Sequence, residues 1–186
     1  LIMHTDPYDQ EGPNLVITSE YLGINNNVIF SNSRLEFDKM NVLYNISDFC
    51  FNISYAEGFG LPTLESMCAG KPIMAVKTGG LSRQVVDHRD GSENGIAVDV
   101  ECRTLVGSQQ VPYIYEDYTG NDTIASSIFK LYEMSQEDRD RLGEKARQYA
   151  MSEFSYDKTI DMWHNSLTGL YNNWKNDYKR WEIKTY

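Results

Sequence analysis

Over the first hundred residues, short apolar runs alternate with stretches in which apolar residues recur at helical spacing. The runs at 1–5, 27–31, 48–54, 72–76 and 95–99 are strand-length. Between them, Leu15, Val16, Tyr21 and Leu22 predict a helix ended by Gly23. Phe37, Met40, Val42, Leu43 and Ile46 predict a second helix with these residues mainly on one face. A third is expected over 62–69, stopped by Gly70, and a short fourth over 81–87. Strands alternating with helices at this interval predict an α/β fold, a doubly wound parallel sheet covered on both faces.

The alternation lapses between 101 and 120, in a polar segment rich in tyrosine and too long for an ordinary connection. A lid or an extra hairpin is expected there. Beyond it the pattern is helical over 124–134, 135–154 and 157–181. In the last helix Ile160, Trp163, Leu167, Leu170, Tyr171, Trp174, Tyr178 and Trp181 form one stripe. The expectation is that this stripe is buried against the helix's own domain, with a partner-binding face as the alternative.

The richest chemistry lies in the run from Ser54 to Gly70. Glu57 and Glu65 flank a turn containing Gly58, Phe59, Gly60, Leu61 and Pro62, between a predicted strand and a predicted helix. Open α/β sheets place ligands at the carboxyl ends of their strands, where Glu57 stands. Pro62 fits a first helical turn, which leaves the amides of Thr63 and Leu64 expected to point out of the helix start. Such an end attracts anions, and Glu65 lies about one turn further in. Gly58 and Gly60 let backbone N–H groups come close to a ligand. The pattern suits an oxygen-rich, negatively charged molecule.

Composition narrows the field. The 186 residues suit one domain or slightly more, and a net charge of −10 with no basic stripe argues against nucleic acid as a partner. No apolar run is long enough for a membrane span or a signal sequence, and the start at Leu1 reads as a cut in a longer chain. Cys50, Cys68 and Cys102 show no metal-ligand spacing and are expected to be buried free thiols, Cys50 and Cys68 lying within apolar stretches, in a reducing, cytoplasmic setting. His4, His88 and His164 have no metal partner at useful spacing, so neither a metal site nor a bound cofactor is expected. His4, at a strand end, is a minor candidate for ligand contact.

The run from Glu57 to Glu65, followed by Gly70, Lys71 and Pro72 and then Gly79 and Gly80, resembles the C-terminal, nucleotide-sugar-binding half of retaining GT-B glycosyltransferases of family four. The likeness extends over roughly residues 1 to 175. It implies a Rossmann-like sheet with C-terminal helices and a nucleoside-diphosphate sugar as substrate. It also implies hexose transfer to an acceptor hydroxyl without a metal. By the same resemblance Glu57 is the catalytic-site residue that contacts the donor hexose. Gly58, Phe59, Gly60 and Leu61 contact sugar and diphosphate, and Glu65 holds the ribose hydroxyls. Asn32, Ser33 and Arg34 are candidate base contacts by their position.

Family members also carry an arginine and a lysine upstream, and an N-terminal acceptor domain, that this sequence lacks. Residues 1–186 are therefore expected to be a donor-binding domain truncated on its N-terminal side, inactive by itself, and able to pair with a second copy through the C-terminal helix. A non-catalytic nucleotide-sugar-binding module is the alternative. Glycoside hydrolysis would need one of the two carboxyls as a proton donor across a single bond, whereas a helical Glu65 is expected to be ionised. A redox dinucleotide site fits worse, because the glycine turn follows the third strand and its spacing is not G-x-G-x-x-G.

Overall fold

The computed structural model describes the chain except residues 11, 112, 182, 183, 185 and 186. It divides into two compact units, Leu1–Met40 and Asn41–Tyr186. In the first, β1 (Ile2–Met3) pairs in parallel with β2 (Ile29–Phe30). Between them runs α1 (Leu15–Tyr21), whose N-cap Asn14 accepts the Ile17 N–H at 3.1 Å. Its end is a Schellman turn: Gly23 N–H bonds Glu20 O and Ile24 N–H bonds Ser19 O, with Gly23 at φ 69°.

Helix α2 (Phe37–Asn45) contains the boundary between the units. Its buried side chain is Tyr44, whereas Val42 and Ile46, both expected on the inner face, are 60% and 64% exposed. The side chain of Phe37 lies outside the described residues.

The second unit is built on three parallel strands, β3 (Cys50–Asn52), β4 (Ile73–Val76) and β5 (Ile96–Val98), in that order. Cys50 lies opposite Ile73, and Met74 opposite Ile96. The links are α3 (Leu61–Cys68) and α4 (Leu81–Val85), and the chain ends in α5 (Asn121–Glu133), α6 (Gln136–Phe154) and α7 (Tyr156–Asp177). Alternation along β4 sorts the core. Ile73 and Ala75 pack with Met67 of α3, Leu81 and Val85 of α4, and Ala146, Tyr149 and Ala150 of α6. Met74 and Val76 pack with Val98 and with Leu131 of α5. Every residue of β4 is buried, as a strand covered on both faces requires.

The segment at 101–120 is a hairpin, with β6 (Cys102–Val106) antiparallel to β7 (Ile114–Tyr118). Its base is fixed by a two-pronged ion pair, Arg103 Nε and Nη2 donating to the buried Asp117 at 2.6 and 3.0 Å. No helix among the described residues is long and apolar enough to cross a membrane.

Two expectations fail. The apolar stripe of α7 is not buried: Trp163 and Trp174 are 64% and 57% exposed, and Lys158 is the helix's only residue that is not exposed. A 22-residue helix is about 33 Å long, and this one meets the unit chiefly near its start, beside α6. Cys68 and Cys102 are exposed as well, Cys68 pointing away from its buried neighbour Met67, and Cys50 is half-buried; all three thiols are free.

The junction of α6 and α7 is held by the buried carboxylate of Glu153. It accepts from Lys158 Nζ at 2.7 Å and from Arg83 of α4, whose carbonyl accepts the Tyr149 hydroxyl at 2.7 Å. Burial alone would raise the Glu153 carboxyl, but hydrogen bonds and charge from Lys158 and Arg83 outweigh it and hold it below its ordinary value. A depressed carboxyl contributes stability that is present above its unfolded value, about 4.3, and lost as pH falls through the folded one. Glu153→Gln is therefore expected to lower the urea midpoint at pH 7 and to differ much less from wild type at pH 3. Equal differences at both pH values would contradict this.

Candidate functional site

Beyond β3 the chain turns on Asn52, whose side-chain oxygen accepts the Ser54 N–H at 3.0 Å. Tyr55 O then receives the Asp117 N–H at 2.7 Å and the Thr78 hydroxyl at 3.3 Å, and the Tyr55 ring lies 4.4 Å from that of Tyr118. The β6–β7 hairpin is thus tied to the residue two before Glu57. Gly58 O accepts the Gly80 N–H at 3.2 Å, and Phe59 O accepts Gln84 Nε2 at 2.6 Å.

The two backbones meet too closely for side chains. A Cβ at Gly80 would lie 2.7 Å from Gly58 O and 2.6 Å from Phe59 O, and one at Gly79 would run into Glu57 O. Gly60, at φ 88°, is the N-cap of α3, and a Cβ there would meet Leu81 Cδ2 at 2.5 Å. The Phe59 ring stands edge-on to Phe154, with centroids 5.7 Å apart.

These carbonyl bonds decide where the amides face. All peptides among the described residues are trans, so C=O and N–H of one peptide point in opposite directions. With the carbonyls of Gly58 and Phe59 turned toward α4, the N–H groups of Phe59 and Gly60 are turned away from it. Neither donates to a described residue. Helix α3 starts at Leu61, one residue earlier than expected, and its ladder opens with Leu64 N–H on Gly60 O at 3.1 Å. Leu64 is therefore not among the free amides. Those of Leu61 and Thr63 precede the ladder, and Pro62 has none.

Glu57 is half-buried, and no described residue bonds its carboxylate. Glu65 sits in the second turn of α3, its Oε2 accepting the Tyr44 hydroxyl at 2.8 Å. Gly58, Phe59 and Leu61 are exposed. One loop and one helix start thus carry Glu57, Gly58, Phe59, Gly60, Leu61 and Glu65. Asn32, Ser33 and Arg34 belong to the other unit, on an exposed loop after β2, where their side chains bond no described residue. In that unit His4 Nδ1 lies 3.0 Å from Ser31 Oγ.

Residues 14–149 match the family described as glycosyl transferases group 1. The chain belongs to this family. Over 85 residues the chain is 38% identical to a D-inositol 3-phosphate glycosyltransferase of Corynebacterium jeikeium (strain K411), a match covering 46% of the chain and 19% of that protein. Among solved structures, a sucrose-phosphate synthase from Thermosynechococcus elongatus aligns with a TM-score of 0.68 at 20% identity, over 92% of this chain and 38% of that one. Anabaena HepE in complex with UDP-glucose aligns with a TM-score of 0.64 at 20% identity, over 90% of this chain and 40% of that one. At that identity the likeness is one of fold, and it confirms the expected α/β architecture of GT-B glycosyltransferases. The chain spans about a fifth of the curated relative and about two fifths of these structures.

Three residues around the motif escape a reading by motif alone. Tyr44 sits among the apolar residues of α2 with nothing local to mark its hydroxyl as a partner of Glu65. Gln84 is fully buried and its amide holds Phe59 O, while Asn94 Nδ2 in turn holds Gln84 O at 3.1 Å. Thr78, also buried, reaches Tyr55 O. A polar residue at an inward position of a short helix, as Gln84 is, was the available signal.

The Gly80 contact leads to a direct expectation. Gly80→Ala must push residues 58 and 59 away from α4, at a cost of about 1–3 kcal/mol as in overpacked cores. Urea unfolding checks this. A variant as stable as wild type would refute the packing argument.

Proposed function

We propose that this chain is the donor-binding part of a retaining glycosyltransferase that moves a hexose from a nucleoside-diphosphate sugar to an acceptor hydroxyl. The observation that carries the reading is the motif loop itself: a half-buried Glu57 with no described partner, followed by backbone N–H groups turned away from α4 that donate to no described residue. A carboxylate accepts hydroxyl hydrogens and amides donate to anionic oxygens, so sugar and diphosphate each meet a suitable partner. In this reading Glu57 holds the hexose, the amides of 58–61 hold sugar and diphosphate, and Glu65 holds the ribose diol.

Asn32, Ser33 and Arg34 keep the base contact on sequence position alone. The amides also stabilise the charge that develops on the departing diphosphate, a term commonly worth several kcal/mol of a barrier. The reading invokes neither a metal nor a cofactor. That HepE forms a complex with UDP-glucose supports the choice of ligand class.

Hydrolysis would need one of the two carboxyls as a proton donor across a single bond, whereas Glu65 lies on a helix with one oxygen held by the Tyr44 hydroxyl. Acceptor binding and transfer are assigned to a longer protein, in keeping with the share of the relatives that the chain spans, and the chain alone acts as a binding module. A cytoplasmic location accords with three free thiols. Calorimetric titration with UDP- and GDP-sugars should detect binding, and Glu65→Ala should weaken it at least about tenfold by removing hydrogen bonds to a charged acceptor. Unchanged heats would count against the ribose assignment.

The exposed stripe of α7 supports pairing of two copies through Trp163, Leu167, Leu170 and Trp174. Light scattering should show a mass that rises with concentration, and Trp174→Glu should reduce the effect. A clean monomer at high concentration would contradict the pairing.

A further inference from the structure

Tyr44 is the side chain of α2 that the second unit buries, at 9% exposure, while Val42 and Ile46 beside it stay in solvent. A tyrosine hydroxyl has one hydrogen to donate, and here it goes to Glu65 Oε2 at 2.8 Å. The donation occupies one lone pair of Oε2. It leaves the other, and both lone pairs of Oε1, for a ligand.

The last torsion of a glutamate is broad and roughly two-fold, so a carboxylate without such a bond samples many orientations of its plane. A vicinal diol offers two O–H groups at a fixed separation. It is held by both oxygens only when that plane is correctly turned.

We propose that Tyr44 is a positioning residue, which fixes the plane of the Glu65 carboxylate so that it accepts both hydroxyls of a ribose and thereby favours ribonucleotides over 2′-deoxyribonucleotides. The proposal rests on the reading of Glu65 as the ribose holder. Burial, then the hydrogen bond and negative charge of Glu65, push the Tyr44 hydroxyl far above the ordinary tyrosine range, so it stays protonated and a donor at any pH the protein meets. The phenol touches the ligand only through Glu65. The ring fills space in the unit, and the hydroxyl alone carries the effect.

The test is calorimetric titration of UDP, 2′-deoxy-UDP, GDP and 2′-deoxy-GDP into the wild-type chain, Tyr44→Phe, Glu65→Ala and the double variant. Tyr44→Phe keeps the ring. It should weaken the ribonucleotide by about tenfold and the deoxy counterpart by about twofold or less, which collapses the preference for ribose. In the Glu65→Ala background it should change neither. The preference is a ratio taken on one sample, so a partly unfolded variant reports it as faithfully as a stable one.

A Tyr44→Phe variant that keeps the wild-type preference, while Glu65→Ala loses it, would overturn the proposal and leave the ribose assignment standing. Equal weakening of both nucleotides by Tyr44→Phe, or weakening that persists without Glu65, would mark a purely structural phenol and also overturn it. A ribose preference untouched by Glu65→Ala, or no binding of any of the four nucleotides, would bring down the underlying reading itself.

Discussion

The second unit depends on the approach of two backbones, residues 57–60 after β3 and Gly79–Gly80 before α4. Two carbonyls of the first segment are bonded, one by the Gly80 N–H and one by the Gln84 amide of α4, across a gap with no room for a Cβ. Each such bond contributes only about 1 kcal/mol net, yet leaving a buried carbonyl unpaired costs more, so the two segments are held in one register. That register turns the amides of Phe59 and Gly60 away from α4 and sets Gly60 left-handed at the head of α3. The direction of α3 in turn decides where Glu65 stands.

The supports of this contact reach through the whole unit. On the core side, Leu81 and Val85 of α4 pack with Ile73 and Ala75, so the strand buried on both faces carries the helix that carries the loop. On the outer side, Arg83 of the same helix is anchored by Glu153 and Tyr149 of α6, and Phe154 of α6 meets the ring of Phe59. The hairpin holds the loop from its other end, through Tyr55. A two-point attachment of this kind restricts a surface segment that would otherwise be among the more mobile parts of a chain.

Much of this was legible in the sequence, for reasons that can be named. Strand β4 is apolar at every position, which fits burial on both faces. Gly23 and Gly70 stand where helices need a left-handed residue, and the glycine turn between a strand and a proline-started helix locates the loop. What stayed hidden depends on contacts distant in sequence. Tyr44 reads as one more apolar residue of α2, because its partner lies 21 positions away. Gln84 looks like a surface amide until Phe59 O is brought to it. Helical spacing carried the stripe of α7 from Ile160 to Trp174, but the helix ends at Asp177, so Tyr178 and Trp181 lie beyond it, and periodicity says nothing about what covers a face. Cys68 shows the same limit at smaller scale: its apolar neighbours predicted burial, while its angular position on α3 put it in solvent.

The order of groups along the motif bears on how an acidic chain could take an anionic ligand. Net charge of −10 acts weakly beyond a Debye length of about 8 Å at physiological salt, so the local arrangement decides. In the proposed site the carboxylates stand at the two ends, Glu57 before the turn and Glu65 within the helix, with only neutral residues and backbone amides facing away from α4 between them. A nucleoside-diphosphate sugar has the same order, hydroxyls at the hexose, charge at the diphosphate and hydroxyls again at the ribose. Matched end to end, each carboxylate meets donors and the diphosphate meets N–H groups and the positive end of α3. Slid along by one group, the same ligand would set phosphate against Glu57 or Glu65. In the proposed site, repulsion at the ends would thus add to attraction in the middle in setting the register of the donor, with no lysine or arginine between Glu57 and Glu65.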